Sequence, residues 1–88
     1  MKPIRWTEHA LRNLADREID RAEADRTIAQ PEFTVPDLPG RQIRMRRYFD
    51  EILGQIMLLR VIVETTARET VVVTPYKTSQ ITRYLRDV

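Results

Sequence analysis

Apolar positions along this chain fall into short clusters whose spacing changes from segment to segment. Ile56 to Leu59 and Val61 to Val63 form one apolar run, broken only by Arg60, and Val71 to Val73 forms a second. Both runs are short and rich in β-branched residues, a pattern of strands rather than of a buried helix. Thr65, Thr66, Ala67 and Arg68 between them suit a hairpin loop. Upstream, residues 41–49 alternate, with Ile43, Met45 and Phe49 on one side and Gln42, Arg44, Arg46 and Tyr48 on the other. That alternation predicts a strand with one buried face and one basic face. Asp50, Glu51 and Gly54 mark the turn that follows, while Ile52 and Leu53 blur its limits. The expected sheet is an antiparallel meander with strands near 41–49, 55–64 and 69–75.

A different period governs the first third. Ala10, Leu11, Leu14 and Ala15 share one face of a helix, and His9, Arg12, Asn13 and Asp16 share the other. Thr7 is a good N-cap for that helix, from Glu8 to about Asp16. Asp20 with Glu23 forms a capping-box-like start to a second helix, which Pro31 stops. Pro3 to Trp6 predicts a short edge strand. Residues 31–40 hold three prolines and a glycine and read as a loop, with Phe33, Val35 and Leu38 tacked onto the core. Thr78 or Ser79 can cap a last helix over 80–86, packed down by Ile81, Tyr84 and Leu85. The order of elements predicts an α+β fold: two N-terminal helices on one face of a small antiparallel sheet, with a short C-terminal helix.

Composition narrows the classes. A chain of 88 residues, 42% hydrophobic and 32% charged, is one folded domain over 1–88 and not a disordered segment. Its core is small, so a partner protein or a homodimer is an expected source of added stability. Without cysteine there is no disulfide, which fits a reducing compartment. The charge-broken first residues do not form a signal peptide, and no apolar run reaches the roughly 20 residues of a membrane span. Of 15 basic residues only Lys2 and Lys77 are lysines. Arginine forks match phosphate and carboxylate, so the bias suits nucleic acid or an acidic protein. Residues 1–40 carry six basic and eight acidic groups (6 − 8 = −2), and residues 41–88 carry nine and five (9 − 5 = +4). The positive surface therefore belongs mainly to the predicted sheet.

One histidine and no cysteine leave no classical zinc site, and isolated glycines leave no phosphate loop. No cofactor is expected. Three groups remain as candidate chemistry. His9 with Arg12 stands one turn apart on the first helix, either as a proton carrier with a phosphate ligand or as an ordinary exposed pair. Arg44 and Arg46, two apart on one strand face, can bracket phosphates or simply protect an edge. Tyr76, Lys77, Thr78 and Ser79 run from a strand end into a helix start, which can bind an anion or serve as a plain cap.

Two of these groups lie in segments that resemble a known family. Trp6, Thr7, His9, Ala10, Arg12, Arg17, Ile19 and Asp20 resemble the opening of a family of small bacterial proteins of unknown function in the RelE/ParE toxin superfamily. Val72, Val73, Thr74, Tyr76, Lys77, Thr78, Ser79, Ile81, Arg83 and Tyr84 resemble its ending. Residues 31–55 agree only in pattern. The resemblance implies the toxin of a bacterial toxin–antitoxin pair in the cytoplasm, with a cognate antitoxin as partner. RelE-like members cleave mRNA without metal, often on the ribosome. ParE-like members inhibit gyrase and are not known as nucleases.

The leading expectation is therefore a metal-independent endoribonuclease, in which an RNA 2′-hydroxyl attacks its own phosphate. Arg44 and Arg46 would clamp phosphates, joined by Arg12, Ser79 and Arg83. Lys77 would stabilise developing charge, and His9 or Tyr76 would move protons, with Tyr76 alternatively stacking on a base. The alternative is a non-catalytic module whose basic face docks on an acidic protein, as in ParE-like gyrase inhibition.

Overall fold

The computed structural model describes residues 2–86. The elements run β1 (Ile4–Trp6), α1 (Glu8–Asp16), α2 (Arg21–Ala29), β2 (Phe33–Pro36), β3 (Arg41–Asp50), β4 (Gln55–Thr65), β5 (Thr70–Thr78) and α3 (Ile81–Leu85). All five strands form one sheet in the order β1-β5-β4-β3-β2.

The expected small antiparallel sheet carrying two helices is overturned. The sheet is mixed, and strand makes up 44% of the described residues against three short helices. Two strands account for the difference. β1 pairs in parallel with β5, with Ile4 opposite Thr70 and Trp6 opposite Val72. Nothing local signals a pairing across more than sixty residues. β2, expected as loop, pairs antiparallel with β3 from Phe33–Met45 to Pro36–Gln42. Pro36 is tolerated because β2 is an edge strand with one side free of ladder bonds. Phe33 and Val35 alternate with exposed Thr34 and Pro36, so the strand is half-buried as a paired edge should be.

β5 also runs past Pro75, which the sequence reading took as its end, as far as Thr78. Proline can sit there because β1 reaches only Val72, and the outer edge of β5 is unpaired from that point on. The Pro75 carbonyl instead accepts from Arg17 Nη1 of the turn after α1, at 2.8 Å.

The helices start where their caps dictate. Thr7 Oγ1 accepts the Ala10 amide at 3.0 Å, and Asp20 Oδ1 accepts from Ala22 at 3.4 Å. The expected reciprocal contact from Glu23 is replaced by an ion pair with Arg26 at 2.9 Å. Trp6 Nε1 donates to Asp25 Oδ1 at 2.9 Å, tying β1 to α2. The main core joins Ala10, Leu14, Ile19, Ala24 and Ile28 to Leu59, Val61, Val63 and Val72, with Tyr48 packed at its margin. Both helices therefore cover one face of the sheet. Met45 and Leu58, on the opposite side of the pleat from Leu59, are also fully buried, so the sheet has a second, smaller apolar layer.

Candidate nucleic-acid interface

Sheet polarity decides what each candidate side chain can reach. On β3 the register sets Arg44 opposite Val61, Arg46 opposite Leu59 and Tyr48 opposite Met57. Val61 and Leu59 belong to the helix-side core, so the expected basic face looks toward the helices. Arg44 Nη1 donates to the Ile28 carbonyl at 2.8 Å, and Arg46 Nη1 donates to the Gln30 carbonyl at 3.0 Å. Both arginines satisfy carbonyls at the end of α2, where the helix dipole favours positive charge. Gln42 Oε1 takes a second contact from Arg44 at 3.3 Å. The expected phosphate clamp is thus occupied by the protein's own backbone.

Because β5 stays extended, Tyr76 and Lys77 point to opposite faces and do not share a pocket. Lys77, opposite Leu59, lies on the helix side. Its Nζ donates to Asp50 Oδ2 at 2.7 Å and to the Glu18 carbonyl at 2.8 Å. Only 11% of the Lys77 side chain and 4% of that of Asp50 is exposed, so this is a buried ion pair. Tyr48 O–H donates to the same Asp50 oxygen at 2.9 Å, and the Leu53 amide donates to the other at 3.0 Å. Lys77 above all holds the Asp50 carboxyl at about 2, well below its usual value. Burial, with the adjacent carboxylate, pushes the Tyr48 hydroxyl in the opposite direction. Glu18, whose carbonyl Lys77 holds, is a non-glycine residue at φ 52°. Lys77 is thus a structural tie between the α1–α2 turn and the end of β3.

The other face has a different character. Arg60 lies directly opposite Tyr76 on β5 and Met45 on β3. Its guanidinium carbon sits 5.0 Å from the centre of the Tyr76 ring and 3.9 Å from that of Tyr84, carried by α3. Arg60 Nε is buried and has no hydrogen-bond partner among the described residues. Burial pulls the Arg60 pKa down from its ordinary value, opposed by Tyr84 and by Asp37. The Arg83 guanidinium carbon lies 5.7 Å from the centre of the same Tyr84 ring, and Arg83 Nη1 donates to Gln80 Oε1 at 3.1 Å. Arg47, on the same pleat as Met45, is neutralised by Glu32 at 3.0 Å. Two tyrosine rings and an incompletely bonded arginine thus form one surface feature.

Arg60 was visible in the sequence only as the lone charge inside the β4 run. A charged residue in the middle of a central strand requires a special environment, and that was the available signal.

The remaining candidates do not converge on that feature. His9 and Arg12 are exposed on α1. Asn13, expected on the polar face, is buried; its Nδ2 donates to Thr74 Oγ1 at 2.8 Å and lies 3.2 Å from His9 Nε2. Arg17 Nη1 reaches the same threonine oxygen at 3.4 Å. His9 therefore belongs to a cluster tying α1 to β5. Ser79 is exposed after β5, and Thr78 Oγ1, not Ser79, accepts from the Gln80 amide at 3.1 Å. α3 has only five residues and no side-chain cap, so the expected anion-binding helix start is not built there. Among the described residues no three His, Asp or Glu side chains gather as metal ligands would, and no helix is long and apolar enough to cross a membrane.

In comparisons with known proteins, no family model, no curated protein and no solved structure matches this chain.

Proposed function

We propose that this chain is a bacterial cytoplasmic toxin of the RelE/ParE type. On this reading a cognate antitoxin restrains it, and it acts on RNA as a metal-independent endoribonuclease. The Tyr76–Arg60–Tyr84 surface is its RNA-binding site. The observation that supports this best is the Arg60 guanidinium lying against two tyrosine rings, with its Nε unbonded among the described residues. Single-stranded RNA is held by aromatic rings under its bases and by arginine on its phosphates. The motif resemblance at both ends of the chain supports the toxin assignment, and Tyr76 and Tyr84 both fall in the C-terminal motif.

In this mechanism the 2′-oxygen attacks phosphorus and the P–O5′ bond breaks. One proton leaves the 2′-hydroxyl and one reaches the 5′-oxygen. Arg60 holds the phosphate and the extra negative charge that develops on it. The Tyr76 and Tyr84 rings beside Arg60 both carry a hydroxyl that can move a proton, and Tyr76 is assigned that role. Lys77, Arg44 and Arg46 act by fixing the scaffold. The alternative, a non-catalytic module docking on an acidic protein through Arg44 and Arg46, has less support because both arginines end on α2 carbonyls.

The test is cleavage of a 5′-labelled mRNA by the purified chain in EDTA. Products ending in 2′,3′-cyclic phosphate are expected, and a 2′-deoxy substitution at the cut site should block them. Arg60→Leu should lower the rate by about 10²-fold or more with the fold retained. Binding of RNA without cleavage would leave a binding module, and neither binding nor cleavage would sink the reading.

A further inference from the structure

The β3–β4 hairpin presents large apolar side chains where a turn is normally polar. Phe49, Ile52, Leu53 and Ile56 are 57%, 68%, 48% and 50% exposed. They are held in place: Phe49 and Ile56 face each other across the ladder, the Gly54 amide donates to the Asp50 carbonyl at 2.7 Å, and Asp50 is anchored by Lys77. Between this hairpin and the α1–α2 turn lies a cleft of about 600 Å³, with Leu14, Ile19, Phe49 and Ile52 in its wall. An ordered apolar patch of this kind marks a binding surface.

The rim of the cleft identifies the occupant. Glu18, Asp20 and Glu51 border it, are exposed, and have no ion pair among the described residues. The other two acidic residues there, Glu23 and Asp50, are already paired. Carboxylates without an ion pair thus gather around an apolar wall in a chain whose net charge is +2. A second copy fits poorly, since two-fold pairing of the hairpin tips would bring Glu51 against Glu51.

We infer that this cleft receives a basic amphipathic segment of a partner protein, its apolar side chains on Ile52 and on the wall formed by Leu14 and Ile19, and its cations on Glu18, Asp20 and Glu51. The site lies on the helix side of the sheet, away from Arg60, and does not depend on the RNA reading.

The experiment titrates the ¹⁵N-labelled full chain with two synthetic helical peptides that share one Leu/Trp face. One carries Lys and Arg on its polar face, the other Glu. The basic peptide should shift amides of residues 18–20 and 49–53 to saturation, and the acidic one should not. Ile52→Ser should weaken binding about tenfold, the loss expected for one buried aliphatic contact. Glu18→Lys with Glu51→Lys should reverse the preference between the peptides. Equal binding of both, or no shifts at those amides, would overturn the inference. So would a concentration-dependent dimer in sedimentation that Ile52→Ser abolishes, because the patch would then serve a second copy.

Discussion

The two faces of the sheet treat positive charge in opposite ways. On the helix side Arg44, Arg46 and Lys77 end on carbonyls or on a carboxylate, and each ties strands to helices. On the other side Arg60 lies against Tyr76 and Tyr84, with a buried Nε that bonds nothing among the described residues. All four are basic residues in strands, so residue type does not separate scaffold from site. The presence of a partner for each donor does. A satisfied buried network holds the fold, whereas an orphaned buried donor carries a desolvation cost that a ligand can relieve.

The sharpest way to break this contrast is to remove one cation from each face. Lys77→Ala leaves Asp50 buried without its counter-ion and should cost about 3–5 kcal/mol in urea unfolding. Arg60→Leu removes a desolvated charge with an unmet donor and should be within about 1 kcal/mol of neutral, or stabilising. Similar losses for the two variants would show that Arg60 is as structural as Lys77.

A pH series sharpens the same point with a smaller effect. Asp50 titrates near 2 in the folded state against an ordinary 3.8, and Lys77 is the main cause. A lowered carboxylate value means that the folded state binds the proton less readily than the unfolded one. The stabilisation is therefore complete above about pH 4 and is lost as pH falls toward 2. Glu32 shifts the same way through Arg47, but that pair is exposed and solvent screens it. Asp50→Asn should therefore flatten most of the stability loss between pH 4 and 2, whereas Glu32→Gln should change it little. The opposite ranking would place the acid sensitivity at the sheet edge.

Much of the scaffold was legible in the sequence. Thr7 and Asp20 announced both helices, and β-branched runs announced β4 and β5. What was not legible has physical causes. The Ile43/Met45 alternation on β3 was read as core against solvent, but Met45 and Leu58 are buried on the face away from the helices while Leu59 and Val61 are buried beneath them, so alternation could not say which face carries the helices. Arginine adds to the confusion because its aliphatic stem can lie along apolar surface while its head finds an acceptor, as Arg44 does over α2. Pro75 was read as a strand end because the short reach of β1, which leaves that edge unpaired, is a tertiary fact. Lys77 carried no local mark of burial, since its partner Asp50 lies on another strand.

A third variant pair compares caps on one helix. Arg44 is half-buried and bonds both Ile28 and Gln42, whereas Arg46 makes one bond, to Gln30. Arg44→Ala should cost about 1–2 kcal/mol and Arg46→Ala about half that, as charged hydrogen bonds to carbonyls typically do. Neither should alter RNA affinity, because both face the helices. A loss of affinity without loss of stability would return these residues to the binding site.

The smallest expected effect tests the open face through salt. Arg83 lies on the exposed side of α3, touching Gln80 and the Tyr84 ring. Nothing in the core depends on it, so Arg83→Ala should leave the unfolding midpoint unchanged. If RNA lies across Tyr76 and Tyr84, Arg83 is placed to meet a neighbouring phosphate. Each phosphate contact to a single strand contributes about 0.7 to the slope of log K against log salt. Arg83→Ala should lower that slope by about this amount and weaken binding alike for every RNA sequence, since a phosphate contact reads no base. Arg46→Ala serves as the control on the covered face and should leave the slope unchanged. If Arg46→Ala changes the slope and Arg83→Ala does not, the strand runs over the helix side, and the contrast between the two faces is inverted.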